Sequence, residues 1–236
     1  MHRLLSILFI LNSILSFSQS IKNTKKWSGH LDLGINLTNN VEQTLQINNL
    51  INLNYKTKKY NAIFNNSLSY ISNTGEEDLL NKGSKDFKYE LLSKDFNFGF
   101  TLEHLYDISR KIKNRYTTGV GMSYNLLKKE DIILSLIAQR EKEQILYGDL
   151  KFQNRLNLNI ILKKKVNNIE LNIKNSYQPN LEGFGDFRTI SAISVRINLS
   201  AKFILACNAN INYDSSPEPT IPERDYQITN SLSYSF

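Results

Sequence analysis

Beyond its first twenty residues, this 236-residue chain offers few groups to chemistry: two histidines, one cysteine and scattered polar side chains. His30 stands in the pattern Ser28-x-His30-x-Asp32, the nearest approach to a serine, histidine and carboxylate relay. In an extended segment these alternate residues point the same way but lie roughly 7 Å apart, from about 3.3 Å of rise per residue. No relay closes within the segment, and a hydrated polar cluster is the expectation. His104 has the opposite parity, beside Tyr106, among apolar residues. A histidine there could serve a lipid-modifying hydrolase at a membrane boundary. Such an enzyme needs a nucleophilic serine and an orienting polar group from neighbouring strands, and the sequence identifies neither. Bonding to lipid headgroups is the simpler role. Cys207 also falls on the apolar parity, and two isolated histidines with one cysteine have no ligand spacing for a metal. Catalytic, cofactor and metal sites are therefore not expected.

The remaining candidates are charges. Lys88, Arg115, Arg155, Lys174, Arg188, Arg196 and Lys202 share the polar parity of their segments with Asp32, Glu90, Glu103 and Glu170. If that parity faces the inside of a barrel, the cationic surplus favours anions in a conducting pore. The competing expectation is an interlocked interior in which the charges pair and hydrate. Small barrels fill with side chains and wide ones conduct. Two loop features could meet a partner: Glu76, Glu77 and Asp78 in one, and Pro217, Pro219 and Pro222 in another. Solvated loop tips are the default reading of both.

What must position these residues is a series of strands. Period-two alternation runs the length of the chain, and helical periodicity nowhere competes with it. Trp27, Leu31, Leu33, Ile35 and Leu37 alternate with Ser28, His30, Asp32, Asn36 and Thr38. Phe96, Phe98, Phe100 and Leu102 alternate with Asn97, Gly99, Thr101 and Glu103. Phe203, Leu205, Cys207, Ala209, Ile211 and Tyr213 alternate with Lys202, Asn208, Asn210 and Asn212. Twelve such segments are countable. A short one covers residues 87–91, and an irregular one, apolar on both faces in part, covers 132–139. Strands of about 9–11 residues suffice to cross a bilayer when tilted.

Two features favour a membrane barrel over a soluble sandwich. Trp27, Tyr55, Tyr60, Tyr70, Tyr106, Tyr116, Tyr177, Tyr213 and Tyr226 collect at the ends of the apolar faces, as in aromatic girdles at headgroup level. Connections also alternate in length. Those near 57–59, 93–95, 127–130, 163–168 and 200–201 are tight. Those near 73–85, 109–114, 140–148, 180–186 and 214–225 are mostly longer, with 39–42 a short member of that group. Both termini then lie at the periplasmic end, which requires an even strand number. The predicted fold is all-β, a transmembrane antiparallel up-and-down β-barrel of twelve strands, with ten or fourteen as neighbouring solutions. A soluble exported β-protein is the alternative.

The ends of the chain agree with this placement. Leu4 to Leu15 is an apolar run too short for a spanning helix, and Ser16-Phe17-Ser18 offers small residues for cleavage. Residues 1–18 are thus expected to be a signal peptide and 19–236 the barrel, in the outer membrane of a Gram-negative bacterium. Loss of Arg3 takes the formal charge from +7 to +6. The basic residues are dispersed and the chain is exported, so nucleic acid is not an expected partner. The expected partners are outer-membrane lipid and lipopolysaccharide. Leu232, Tyr234 and the terminal Phe236 share one face of the last segment, like the carboxyl-terminal signature read by barrel-insertion machinery.

Trp27-Ser28-Gly29, followed by Leu31, Leu33, Gly34 and Thr38, resembles the opening of the YdiY-like family of salt-induced outer-membrane proteins, whose function is unknown. The stretch from Asn114 to Tyr124, NRYTTGVGMSY, is similar to that family's Arg-Tyr and Gly-x-Gly-x-x-Tyr segment. Where the family has a Gly-Asn-Thr-like turn, this chain has Thr38-Asn39-Asn40. The resemblance implies an outer-membrane β-barrel and supplies no catalytic residues. The function it leaves open is a structural barrel or a narrow passive channel, with an interfacial lipid-modifying enzyme as the alternative.

Overall fold

Twelve antiparallel strands close into one barrel in the computed structural model, which describes residues 26–39, 43–73, 80–127 and 132–235. The expected leader, the acidic triplet at 76–78 and Phe236 lie outside the described residues. The strands are β1 (Trp27–Asn39), β2 (Gln43–Lys56), β3 (Tyr60–Asn73), β4 (Leu80–Leu91), β5 (Phe96–Asp107) and β6 (Ile112–Leu127). They continue with β7 (Ile132–Ile145), β8 (Leu150–Val166), β9 (Ile169–Pro179), β10 (Phe187–Asn198), β11 (Phe203–Asp214) and β12 (Arg224–Ser235). Each pairs with its sequence neighbours, and β1 closes on β12. A single 3-10 turn, Ile108–Arg110, links β5 to β6. Asp107 caps it by accepting from the Arg110 amide, and Lys111 ends it in the left-handed region at φ 59°.

Pairing fixes which residues face outward. Leu31 pairs with Ile51, Phe64 with Phe87, Phe100 with Val120, and Val195 with Cys207, so the apolar parity is continuous around the cylinder. Beyond their neighbours in the wall, nothing in the protein covers this face: Ile35 is 73% exposed, Val120 66% and Ile228 63%. An apolar surface of that extent needs a non-aqueous neighbour. A closed barrel leaves no unpaired sheet edge, so its backbone can lie in hydrocarbon. The shortest strand, β9, has 11 residues. At about 3.4 Å per residue and a tilt near 40°, it spans about 28 Å, close to the core of a bilayer. The molecule is a transmembrane β-barrel.

The aromatic girdles are contiguous where strands allow it. At the end bearing the termini, Trp27 contacts Tyr55 at 4.7 Å between ring centroids, Tyr55 contacts Tyr60 at 5.9 Å, and Tyr60 stacks on Tyr89 at 5.9 Å. At the other end Phe187 bridges Tyr177 and Tyr213 at 5.5 and 5.6 Å.

Two segments are longer than their hydropathy predicted. β4 reaches back to Leu80 and β7 continues to Ile145. In β7 the extension alternates Arg140 and Lys142 outward with Glu141 and Glu143 inward, which follows from Tyr116 pairing Lys142 and Arg115 pairing Glu143. Both parities are charged there, so the period is invisible to hydropathy although the backbone ladder is unbroken. Residues 140–145, expected in a long loop, are strand.

One wall is drawn in unusually tightly. Gly99 on β5 is registered with Gly121 on β6, both on the inward parity. A Cβ on Gly99 would fall 2.1 Å from the Tyr89 carbonyl oxygen, and one on Gly121 would fall 2.2 Å from the Leu136 oxygen. Only glycine lets backbones approach that closely at a barrel corner.

Candidate functional site in the barrel lumen

The inward faces divide the lumen into a side filled by ion pairs and a more open side. On the ion-paired side, near the loop end, three arginines interlock with carboxylates. Arg188 on β10 reaches Glu141 at 2.8 Å, Asp214 at 3.2 Å and Glu143 at 3.7 Å. Arg115 on β6 pairs with Glu143. Arg155 on β8, only 1% exposed, meets Glu141 at 3.5 Å, donates to both Asp186 oxygens at 2.8 Å, and donates to the Gln178 carbonyl at 3.0 Å. Arg110, from the 3-10 turn, extends the network to Asp225 and lies 3.8 Å from Asp214. Burial alone would push the Asp186 carboxyl up, but hydrogen bonds from Arg155 and Asn180 outweigh it and hold the group below the ordinary carboxylate range.

This cluster has a cover. In the connection between β11 and β12, Glu218 pairs with Lys151 of β8, and Lys111 donates to the Pro219 carbonyl at 3.2 Å and to the Thr220 hydroxyl at 2.9 Å. Pro217, Glu218 and Ile221 thereby sit over the ion pairs. Glu218→Gln is expected to speed proteolytic cutting within 215–223 severalfold. Global stability should move by no more than the roughly 0–1 kcal/mol of an exposed pair. Limited proteolysis of the refolded barrel checks this, and an unchanged cutting rate would show that the pair does not hold the loop.

The more open side holds a cavity of about 540 Å³. Amides and hydroxyls such as Asn48, Ser69, Asn208, Asn210, Gln227 and Thr229 line much of it, beside the aliphatic Leu50, Leu105 and Ile190. Five charged residues, Asp32, Lys82, Asp86, Asp107 and Lys174, also line it. Lower down, Arg196 pairs with Asp32 at 3.2 Å, and Lys88 pairs with Glu90 at 2.7 Å.

Of the eleven charges expected inside, ten lie on inward strand positions. Among them Asp32, Lys88, Glu90, Arg115, Arg155, Arg188 and Arg196 are ion-paired within the barrel, while Glu103 and Lys174 face the interior. Glu170 is inward in register, but at the rim, where it pairs with Lys165 at 2.6 Å. Lys202 is the exception. β11 begins at Phe203 because Ser200 closes a turn, its hydroxyl accepting from the Lys202 and Phe203 amides. Lys202 is therefore exposed, with its ammonium 5.9 Å from the Tyr234 ring centroid. The sequence reading missed Asp86, Glu141, Glu143, Asp186, Asp214 and Asp225. These neutralise the expected cationic surplus. Strict parity carried past residue 139 would have found Glu141 and Glu143. No sequence signal marks Asp186, which reaches in from a connection.

The histidines resolve separately. The Ser28 hydroxyl accepts from Asn54 at 3.4 Å and Asp32 is held by Arg196, so neither orients His30 as a relay would require. His104 stacks on Tyr116 at 4.7 Å, and its Nε2 lies 2.9 Å from the Asn114 Oδ1. An orienting partner thus exists where none was expected. Its registered neighbours are Lys85 and Tyr116, and neither is a serine. Among the described residues no group of His, Cys, Asp and Glu is arranged to hold a metal.

No curated protein matches this sequence. Among solved structures, a KdgM porin aligns over 89% of this chain and 99% of its own, at 8% identity and a TM-score of 0.45. An anion-selective porin from Comamonas acidovorans aligns over 89% and 98%, at 10% identity and 0.43. The CymD monoaromatic hydrocarbon channel aligns over 90% and 88%, at 9% identity and 0.43. Residues 31–236, from within the first strand to the carboxyl end, match the family described as Protein of unknown function, DUF481, so the chain belongs to that family, the YdiY-like one that its opening residues resemble.

Proposed function

We propose that this barrel is a narrow, passive, non-enzymatic channel for small hydrophilic solutes. The observation that carries the reading is the cavity of about 540 Å³ inside a closed membrane barrel, lined in large part by amide and hydroxyl side chains and by charges of both signs. Asn, Ser, Thr and Gln at those positions replace part of a solute's hydration without holding it by charge. A purely structural barrel of this width can fill its interior with interlocking side chains instead. Here the dense interlocking is the loop-end arginine cluster, and the cavity lies beside it. The same cluster narrows the loop end and balances positive against negative groups, so the lumen has no strong ionic preference.

Refolded protein in planar bilayers tests this. Small, discrete conductance steps with similar permeability to potassium and chloride are the expected result. A silent barrel, both as wild type and as the Arg188→Ala variant, would make it a structural element. His104→Ala should leave lipid turnover unchanged, because no serine stands beside that ring.

A further inference from the structure

The outer face is not uniformly apolar. On the loop-side half of the β4–β7 wall, one registered row reads Lys85, His104, Tyr116 and Lys142 on consecutive strands. Arg140 lies two residues from Lys142 on the same face, opposite Thr118. Lys85, Arg140 and Lys142 are all exposed. Among the described residues none of the three has an ion-pair or hydrogen-bonding partner, whereas the inward charges on these same strands are largely paired. No outward strand position among the described residues carries Asp or Glu, so the protein cannot neutralise these cations from its own lipid face. Below the row the surface is Phe87, Phe100, Leu102, Val120 and Leu136, which places the row near the upper edge of the apolar band.

Cations on a barrel's lipid face are costly at the midplane and cost little at the interface. Lys85 is five residues inside β4, deep enough that its ammonium must extend towards the headgroups or meet an anion. With about 4.8 Å between strands, Lys85 and Lys142 stand about 14 Å apart, too far to share one phosphate without long reach. They are well placed for a headgroup with a phosphate at each end. His104 is fixed between them by its Asn114 bond and its Tyr116 stack, which gives a flat, hydrogen-bonding floor of the kind sugar hydroxyls use.

From this arrangement we infer that the β4–β7 outer wall binds the phosphorylated disaccharide head of an outer-leaflet glycolipid, lipopolysaccharide. Lys85 takes one phosphate and Arg140 with Lys142 the other. The inference rests on the outer-membrane placement but not on conduction through the lumen.

The test uses refolded full-length barrel in detergent, with lipopolysaccharide, its dephosphorylated form and inorganic phosphate as separate probes. The variant combines Lys85→Gln, Arg140→Gln and Lys142→Gln. A control combines Lys164→Gln and Arg224→Gln, which remove outward cations elsewhere on the barrel. Heat-modifiable gel mobility establishes that each protein is folded. Saturable binding of intact lipopolysaccharide is expected, weakened at least tenfold in the triple variant, unchanged in the control, and lost with the dephosphorylated probe. Equal binding by wild type and triple variant would overturn the site. An equal loss in the control would overturn it too, by reducing the effect to net charge. Binding of inorganic phosphate as tight as that of lipopolysaccharide would make it a phosphate site and overturn the lipid assignment. Conductance of the triple variant equal to wild type keeps this outcome separate from the channel reading.

Discussion

Gly121→Ala is expected to prevent the barrel from reaching its compact, heat-modifiable form at ordinary refolding temperatures. The added methyl would sit 2.2 Å from the Leu136 carbonyl oxygen and 2.7 Å from the Ile137 Cα, both backbone atoms of the neighbouring strand. A flexible side chain could swing away, but a registered strand cannot move without breaking its ladder. Overpacking costs typically about 1–3 kcal/mol and occasionally more. With backbone as the obstacle, the cost belongs at or above the top of that range. Gly183→Ala is the control, because a methyl there meets nothing within 4 Å. Gel mobility before and after boiling separates the two. If Gly121→Ala ran and melted like wild type, the tight corner between β5, β6 and β7 would be an incorrect description of the wall.

The second large effect concerns Arg188→Ala. Its guanidinium contacts Glu141, Glu143 and Asp214, so its removal takes a partner from three carboxylates in a largely buried setting. Breaking a buried ion pair from one side costs about 3–5 kcal/mol, because the remaining charge keeps its desolvation without its partner. Arg115 and Arg155 still touch Glu143 and Glu141, which keeps the loss towards the lower figure. The variant should unfold in less denaturant. It should also conduct more strongly than wild type and favour cations, since the narrow end is widened and left net negative. A conductance unchanged in size and selectivity would place the conducting path away from the cluster.

Much of this architecture was legible in the chain because lipid and lumen impose opposite chemistry on alternate residues. Wherever that contrast is sharp, as from Phe96 to Glu103 or from Phe203 to Asp214, strand and facing were readable together. The reading failed where the contrast is absent. From Arg140 to Glu143 both faces are charged, so a strand looked like a loop and two carboxylates essential to the interior were lost with it. At 80–86, LNKGSKD disguises the start of β4 in the same way, and Asp86 with it. Lys202 failed for a different reason: parity was carried one residue beyond the turn that Ser200 closes. The division of the lumen into an interlocked and an open side depends on which strands become neighbours across the cylinder, and no local pattern encodes that.

The joint between β1 and β12 is the short one. Among the described residues it is registered over four residue pairs, from His30 with Ser235 to Leu33 with Leu232, whereas β1 and β2 are registered over thirteen. A cylinder with one lightly stitched join has a defined place to part. Heat or denaturant would convert it first to a curled sheet with eleven intact ladders. The same join is the natural last step of its assembly, made when the two ends of the chain finally meet. Rupture and completion of this barrel therefore share one locus, and a covalent clasp placed there would slow the first without altering the lumen.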